Sequence, residues 1–390
     1  MSNRPISIVG SGHTKFGRLD ALNVEELVVM ATKEALEEAQ LPAAAVDAIY
    51  VGHFNAGLVS DGFASSLVHQ ASPEFRFTPA TRCENACASG AAALFSAMHA
   101  IHAGEAEVAL VVGVEKMTAR STAEVTQSLA NAGYQNDPDE AALSFPQLFG
   151  VAAKQYTDRY QDPLEAMAKI AVKNHHNALS NPLAHMHRAL DFDMCNTISD
   201  KNPLIADPLR LSDCSLITDG AAALVLTTEA HAKSFPHAVA IRGKSHVNDF
   251  LPFSKRDLLA FEGPEKAIYT ALSNANITLG DLDFAEVHDC FTIAELLLYE
   301  AMGLTPKGQG HRALDDGVVM REGRLPVNLS GGLKAKGHPV GATGVSMHAI
   351  SYRQLTGQAG PMQLDNAQLG LVFNMGGTAV ANYATILEAR

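Results

Sequence analysis

Two cysteines and two histidines occupy positions where a nucleophile, its base and a second acid would be wanted. Cys87 lies in Cys83-Glu84-Asn85-Ala86-Cys87-Ala88-Ser89-Gly90, directly before an alanine-rich stretch, Ala91 to Ala103, that reads as a helix. A thiol at a helix start faces unpaired N–H groups and the positive end of the dipole, which lowers its pKa and favours the thiolate. The alternative is a small apolar residue packing the helix start. Cys83, further from the helix, is the competing nucleophile. The glycine-rich run Gly331-Gly332-Leu333-Lys334-Ala335-Lys336-Gly337-His338-Pro339-Val340-Gly341-Ala342-Thr343-Gly344 announces another helix start. If the two starts face one cleft, His338 meets Cys87 as its base. As a phosphate loop this run fails for want of Gly-Lys-Ser/Thr, and a plain turn is the alternative. His288-Asp289-Cys290-Phe291 joins a predicted strand, Phe284 to Val287, to a predicted helix, Thr292 to Met302. A histidine and a cysteine on such a turn suit acid/base work, and a histidine N–H suits an oxyanion.

Other groupings carry less. Zinc would explain clustered Cys and His, but there is no CxxC pair, and His175-His176 and His185-Met186-His187 lie in a polar segment that reads as solvated. Gly10-Ser11-Gly12 resembles a dinucleotide fingerprint, but the next glycine, Gly17, is out of register.

The elements that must position these residues are of α/β type. Ile6 to Gly10 and Ala48 to Val51 read as strands, and Val24 to Ala39 as a helix between them. The chain also repeats itself. Ala35 to His53 lies over Ala271 to Asp289, and Ala88-Ser89-Gly90 over Ala342-Thr343-Gly344. Val108 to Gly113 parallels Leu369 to Asn374, and Ala221 to Ala230 parallels Ala379 to Ala389. The matches keep one order, which places Cys87 and the His338 loop at equivalent points of two halves. In the second half the last two strands are joined by a short Gly376-Gly377 turn, whereas in the first they are separated by Thr118 to Thr218. Residues 1–118 with 218–235 are therefore read as the first half, 119–217 as an inserted cap and 236–390 as the second half. Helical stretches Gly150 to Tyr160 and Leu164 to Leu179 fall in the cap, and loops of that length usually serve a site.

Composition agrees. In 390 residues, 47% are hydrophobic and 18% charged, so much of the chain must be interior and disorder is excluded. A net charge of −13 argues against nucleic acid or an anionic membrane surface as partner. The longest apolar run resembles Val108 to Val112, well short of the roughly 18 residues of a membrane span. Neither end reads as an address, and five cysteines without disulfide-like spacing favour a reducing, cytoplasmic setting.

Taken together, Ala86-Cys87-Ala88-Ser89-Gly90, Gly113-Val114-Glu115-Lys116-Met117, Asp219-Gly220-Ala221-Ala222-Ala223, His288-Asp289-Cys290-Phe291 and Gly337 to Gly344 resemble the thiolase family, over essentially the whole chain. The resemblance implies a layered αβαβα fold of two duplicated βαβαβαββ-type halves with an inserted loop domain. It also implies reversible Claisen condensation and thiolytic cleavage of 3-ketoacyl-CoA, with CoA and acyl-CoA as substrates, no permanently bound cofactor, no metal, and a homodimer or homotetramer. Cys87 would take the acyl group and His338 would activate it. Many thiolases carry a further cysteine in a Cys-x-Gly turn near the C-terminus, but here that turn reads Asn374-Met375-Gly376-Gly377. The pattern is similar to sterol-carrier-protein type thiolases, in which the His-Asp-Cys-Phe segment supplies the missing thiol. The resemblance then makes Cys290 the acid/base, gives His288 and His338 to one oxyanion hole, and gives the N–H groups of Cys87 and Gly376 to the other. A thiolase-like acyl-CoA-binding or partner subunit that has lost catalysis is the alternative. Chain-length preference is expected to depend on Phe145 to Phe149, including Gln147 and Leu148.

Overall fold

The computed structural model describes residues 4–390. Strands β1 (Ile6–His13), β2 (Ala48–Gly52), β3 (Ala80–Cys83), β4 (Val108–Glu115) and β5 (Gly220–Thr228) form the first half, and β6 (Val239–Asn248), β7 (Phe284–Val287), β8 (Leu369–Gly376) and β9 (Ala381–Ala389) the second. Their spatial order is β3-β2-β4-β5-β1 followed by β6-β9-β8-β7. Each half thus repeats one order, with the second half's counterpart of β3 reduced to a single parallel bridge, Ala285 to Val327. β1 and β6 pair antiparallel through Ser7 with Ala240 and Ile8 with Val239, which joins the halves into nine strands.

Residues of β1, β4 and β5 are buried on both faces, as expected where helices cover both sides of a sheet. Helix α1 (Val24–Glu38) covers the outer face of the first half. It opens with a capping box in which Asn23 accepts from the Glu26 N–H and Glu26 accepts in return, satisfying two otherwise unpaired donors. Helix α2 (Ser89–Ala103) follows β3. In the cap lie α3 (Phe145–Arg159) and α4 (Leu164–Ala178), and in the second half α5 (Glu262–Ala275), α6 (Thr292–Ala301) and α7 (Val340–Leu355). Helix α5 covers the outer face of β6 and β9. Helices α2 and α7 touch both halves. Phe95 on α2 meets the rings of Tyr383 and His246, and α7 packs on β4, β5 and β8. The two halves therefore face each other across α2 and α7, giving the αβαβα layering.

That middle layer is held by backbone contact. A Cβ at Gly90 would lie 2.8 Å from the Gly341 carbonyl oxygen and 2.9 Å from the Val345 nitrogen, and one at Gly344 only 2.5 Å from the Ala91 nitrogen. Any larger residue must push the helices apart. The Glu115 carboxylate, wholly buried at the end of β4, accepts from the N–H groups of Phe54, Asn55 and Gly341, each at 3.0 Å. The start of α7 is thereby tied to the first half.

Gly90→Ala is expected to lower stability by about 1–3 kcal/mol, the usual cost of overpacking a close contact. A denaturant titration checks this, and an unchanged midpoint would show that the crossing can relax.

Candidate active site

The turn from β3 to α2 is built to present Cys87. Ala86 adopts φ +50°, an uncommon left-handed conformation for alanine. Ser89 clasps the turn: its hydroxyl donates to the Ala86 carbonyl at 2.6 Å and accepts from the Asn85 N–H at 2.9 Å. Asn85 donates to the Tyr383 hydroxyl at 2.8 Å, anchoring the same turn to the second half. Helix α2 begins at Ser89, two residues ahead of the sequence-based start. Cys83 ends β3, with its sulfur toward Ser96 Oγ at 3.6 Å, and is not part of the cluster around Cys87.

The helix crossing brings the other half's residues to this turn. The Cys87 sulfur and a ring nitrogen of each of His288 and His338 lie within 4.8 Å of one another. The two imidazoles meet edge to face, with ring centroids 5.1 Å apart. Their neighbours set complementary tautomers. The Thr343 hydroxyl donates to the Pro339 carbonyl at 3.0 Å, so toward His338 Nδ1, 2.7 Å away, it acts as acceptor. His338 therefore carries its proton on Nδ1 and offers the Nε2 lone pair. Asn374 Nδ2 donates to the Cys87 carbonyl at 3.3 Å and to His288 Nδ1 at 2.8 Å. His288 therefore carries its proton on Nε2 and is a donor there. One imidazole is set to take a proton and the other to give a hydrogen bond.

Burial corrects one expectation. Desolvation pushes the Cys87 thiol up to about 12, and the negative charges of Glu115 and Glu84 add to it. The N–H groups of Gly377 and Cys87 act in the opposite sense without overcoming it. The helix start thus does not yield a resting thiolate. Burial, followed by the nearby Lys336 charge, brings His338 down to about 3, and burial likewise takes His288 well below its ordinary value, with His338 and Lys336 contributing. At neutral pH the cluster is a neutral thiol among neutral imidazoles. Cys290 is buried beside it, its thiol raised well above the usual range by desolvation and then by Cys87 and Asp289. The backbone N–H groups that face the Cys87 sulfur are its own and that of Gly377, next to the Gly376 named from the sequence.

A cavity of about 310 Å³ opens beside His338, walled by Val125, Leu129, Phe145, Leu216, Ile217 and Phe291. Phe149 packs on Phe291 with centroids 4.7 Å apart. Of the cap residues expected to line the pocket, Phe145 does, but Gln147 does not. Its side-chain oxygen accepts from the Ser144 N–H at 2.8 Å and so caps α3. Cap histidines His185 and His187 are spent on Thr218 Oγ1 and the Asn181 carbonyl. Cys87, His288 and His338 are the grouping among the described residues close enough to hold a metal. Asn374 and Thr343, which set the tautomers, escaped the sequence reading. The only signal for Asn374 was an amide within an apolar strand.

Comparisons with known proteins agree with this geometry. Residues 6–230 match the family model of the thiolase N-terminal domain, and residues 245–389 that of the thiolase C-terminal domain-like family. An acetyl-CoA acetyltransferase of Methanothermobacter thermautotrophicus is 37% identical over 96% of this chain and 97% of its own length. Human sterol carrier protein 2 is 33% identical over 96% of this chain and 70% of its own length. Among solved structures, human mitochondrial 3-ketoacyl-CoA thiolase in complex with CoA aligns with a TM-score of 0.75 over 99% of this chain and 98% of that one, at 20% identity.

A thiol raised to this degree stays protonated across neutral pH, and His338 stays neutral above about pH 3. Alkylation of Cys87 by iodoacetamide, followed by peptide mass spectrometry, is expected to keep accelerating with pH up to at least about pH 8, since the thiolate is the reactive form. A pH-independent rate from pH 6 to 8 would mean a thiolate–imidazolium pair already present at rest.

Proposed function

The chain belongs to the thiolase family and is an acyltransferase of that family, and we propose that Cys87, His338, His288 and Cys290 divide its reversible Claisen chemistry on 3-ketoacyl-CoA. In the cleavage direction the Cys87 sulfur adds to the 3-keto carbonyl while its proton passes to His338 Nε2. The oxyanion so formed is met by the Cys87 N–H and by the Gly376–Gly377 turn. Collapse breaks the bond between carbons 2 and 3, and the electron pair becomes the enolate of acetyl-CoA. His288 Nε2–H and the newly protonated His338 hold the enolate oxygen. The Cys290 thiol gives its proton to the enolate carbon, releasing acetyl-CoA. Incoming CoA thiol gives its proton to the Cys290 thiolate and attacks the Cys87 thioester; the bond from the acyl carbon to the Cys87 sulfur breaks, that sulfur takes back the proton held on His338, and the shortened acyl-CoA leaves. Condensation is the reverse.

The observation that carries this reading is the complementary pair of tautomers beside one sulfur: a lone pair on His338 and a proton on His288, with a nitrogen of each ring within 4.8 Å of the Cys87 sulfur. A non-catalytic acyl-CoA-binding subunit would have no need of either. The 310 Å³ apolar cavity suits the pantetheine arm or a short acyl chain. No cofactor need be bound permanently, because thiol, imidazole and backbone N–H supply every step. The terminal strand β3 supports pairing of two copies into a homodimer, since its outer edge has no strand partner among the described residues. Five free cysteines support a cytoplasmic setting. No helix among the described residues is long and apolar enough to cross a membrane.

With acetoacetyl-CoA as substrate, Cys87→Ala is expected to abolish thiolysis; activity that survives removes Cys87 as the nucleophile. In Cys290→Ala, acyl transfer onto Cys87 is expected to persist while condensation falls by about 10²–10⁴, the usual span for a lost general acid or base. Full condensation in that variant assigns the proton transfer elsewhere.

A further inference from the structure

Between His288 and Cys290 stands a carboxylate to which the mechanism above gives no task. Asp289 is wholly buried, and the donors that reach it are neutral. The N–H groups of Leu333 and Lys334 donate to it at 2.6 and 3.2 Å, and the Asn174 amide of α4 at 2.7 Å. Leu333 and Lys334 belong to one helical turn, Gly332–Ala335, that leads into His338. This turn is shaped around the carboxylate: Gly332 adopts φ +59°, and a Cβ there would overlap the Asp289 oxygens. A carboxylate is unfavourable to bury unless its oxygens are filled with hydrogen bonds. Here they are filled mainly by the loop that carries the other imidazole.

A second carboxylate does the same from the other side of His288. Glu286 on β7, 1% exposed, accepts from the Ser330 N–H at 2.9 Å and from the Ser330 hydroxyl at 2.5 Å. The segment bearing His288 thus grips the His338 loop at two points, through residues on either side of the imidazole. Thr343 and Asn374 set which nitrogen of each ring carries the proton, but neither bond runs from one ring's segment to the other's. The carboxylates make that connection, beside rings whose centroids are 5.1 Å apart. Asn174 completes the frame from the cap, because the same amide nitrogen donates to Glu295 of α6 at 2.6 Å and so fixes how the Asp289 carboxylate lies.

We propose that Asp289 is a positioning residue for the pair of imidazoles that holds the enolate: its carboxylate sets the separation of His288 and His338 so that both reach one thioester oxygen. Donors stabilise an enolate only when they stand where its charge develops, and a misplacement of about 1 Å can cost about 10²-fold in rate. Acyl transfer demands less. It needs His338 beside Cys87, a placement held separately by Thr343 and by the Gly341 N–H on Glu115. Loss of Asp289 therefore divides the reaction, slowing the enolate steps and sparing the acyl transfer. The inference rests on the thiolase reading and adds to it a residue that does not meet the substrate.

Two exchange reactions separate these steps. In D2O, loss of the acetyl-CoA methyl proton signal in NMR reports enolate formation, and passage of labelled CoA into acetyl-CoA reports acyl transfer. Asp289→Asn, which keeps the size and one acceptor oxygen, is expected to slow proton exchange and the kcat of condensation by about 10–100-fold, with label exchange within about threefold of wild type and KM for acetyl-CoA unchanged. Asn174→Ala, which touches neither ring nor loop, is expected to show the same selective loss in smaller measure. Proton exchange at the wild-type rate in Asp289→Asn overturns the proposal. So does an equal fall in both exchanges, which is what poor folding or a displaced His338 alone would give. If Asp289→Asn does not fold, Asn174→Ala decides by the same two readouts: a selective loss of proton exchange supports the proposal, and both exchanges kept or both lost overturns it. A wild type that exchanges neither proton nor label overturns the thiolase reading and this inference with it, whereas a wild type that does both leaves that reading intact whatever the variants show.

Discussion

The closeness of two helix starts governs everything else in this molecule. Helices α2 and α7 cross with glycine facing backbone, so that Gly90 meets Gly341 and Val345 at a separation no Cβ would allow. Cys87 lies just before one helix and His338 just before the other, far apart in the chain but brought to the same few ångströms by that crossing. The duplication explains how this arises. Two copies of one strand and helix order face each other across the middle layer, so equivalent turns converge at its centre.

Buried charge then fixes what the crossing brings together. Asp219 accepts from the Met117 and Thr118 N–H groups at 2.7 and 2.8 Å and pairs with Lys116 at 2.6 Å, clamping the two ends of the cap to each other. Burial works to raise the Asp219 carboxyl, but Lys116 and Thr118 outweigh it and hold it below the usual range. On the far side, α4 sends Asn174 to Asp289, Asn177 to the Asn328 carbonyl and Asn181, just beyond its end, to that of Ser330. Lys173 pairs with Glu295 at 2.8 Å. Losing one partner of such a buried pair typically costs about 3–5 kcal/mol, because the other charge is left unpaired. This investment makes geometric sense beside a reaction that needs a thiol and two imidazoles held in fixed tautomers.

Much of this was legible in the sequence because duplication writes topology twice. The repeats that paired Ala35 to His53 with Ala271 to Asp289, and Val108 to Gly113 with Leu369 to Asn374, fall on equivalent helix ends and strands. The motifs around Cys87, His288, Cys290 and His338 identified the residues that meet. What escaped depended on environment rather than residue type. A helix start lowers a thiol's pKa in isolation, yet desolvation dominates at Cys87 and reverses the sign. Lys334 and Lys336, in a glycine-rich loop, would ordinarily be solvated, but both are buried, Lys334 against His175 of the cap and Lys336 against Ser346 and the Phe16 ring. Asn374 stood out in the sequence only as an amide in an apolar strand, at the turn where a cysteine was missing, although that amide is what fixes the His288 proton.

The central claim is that this convergence makes Cys87, assisted by His338, the one sulfur that accepts an acyl group. Peptide mapping by mass spectrometry after brief mixing with acetyl-CoA tests it most directly. A single acetyl group on the Cys87 peptide, absent when His338 is replaced by alanine, is the predicted result. An acetyl group on Cys83 or Cys290, or the same Cys87 adduct formed without His338, would contradict it.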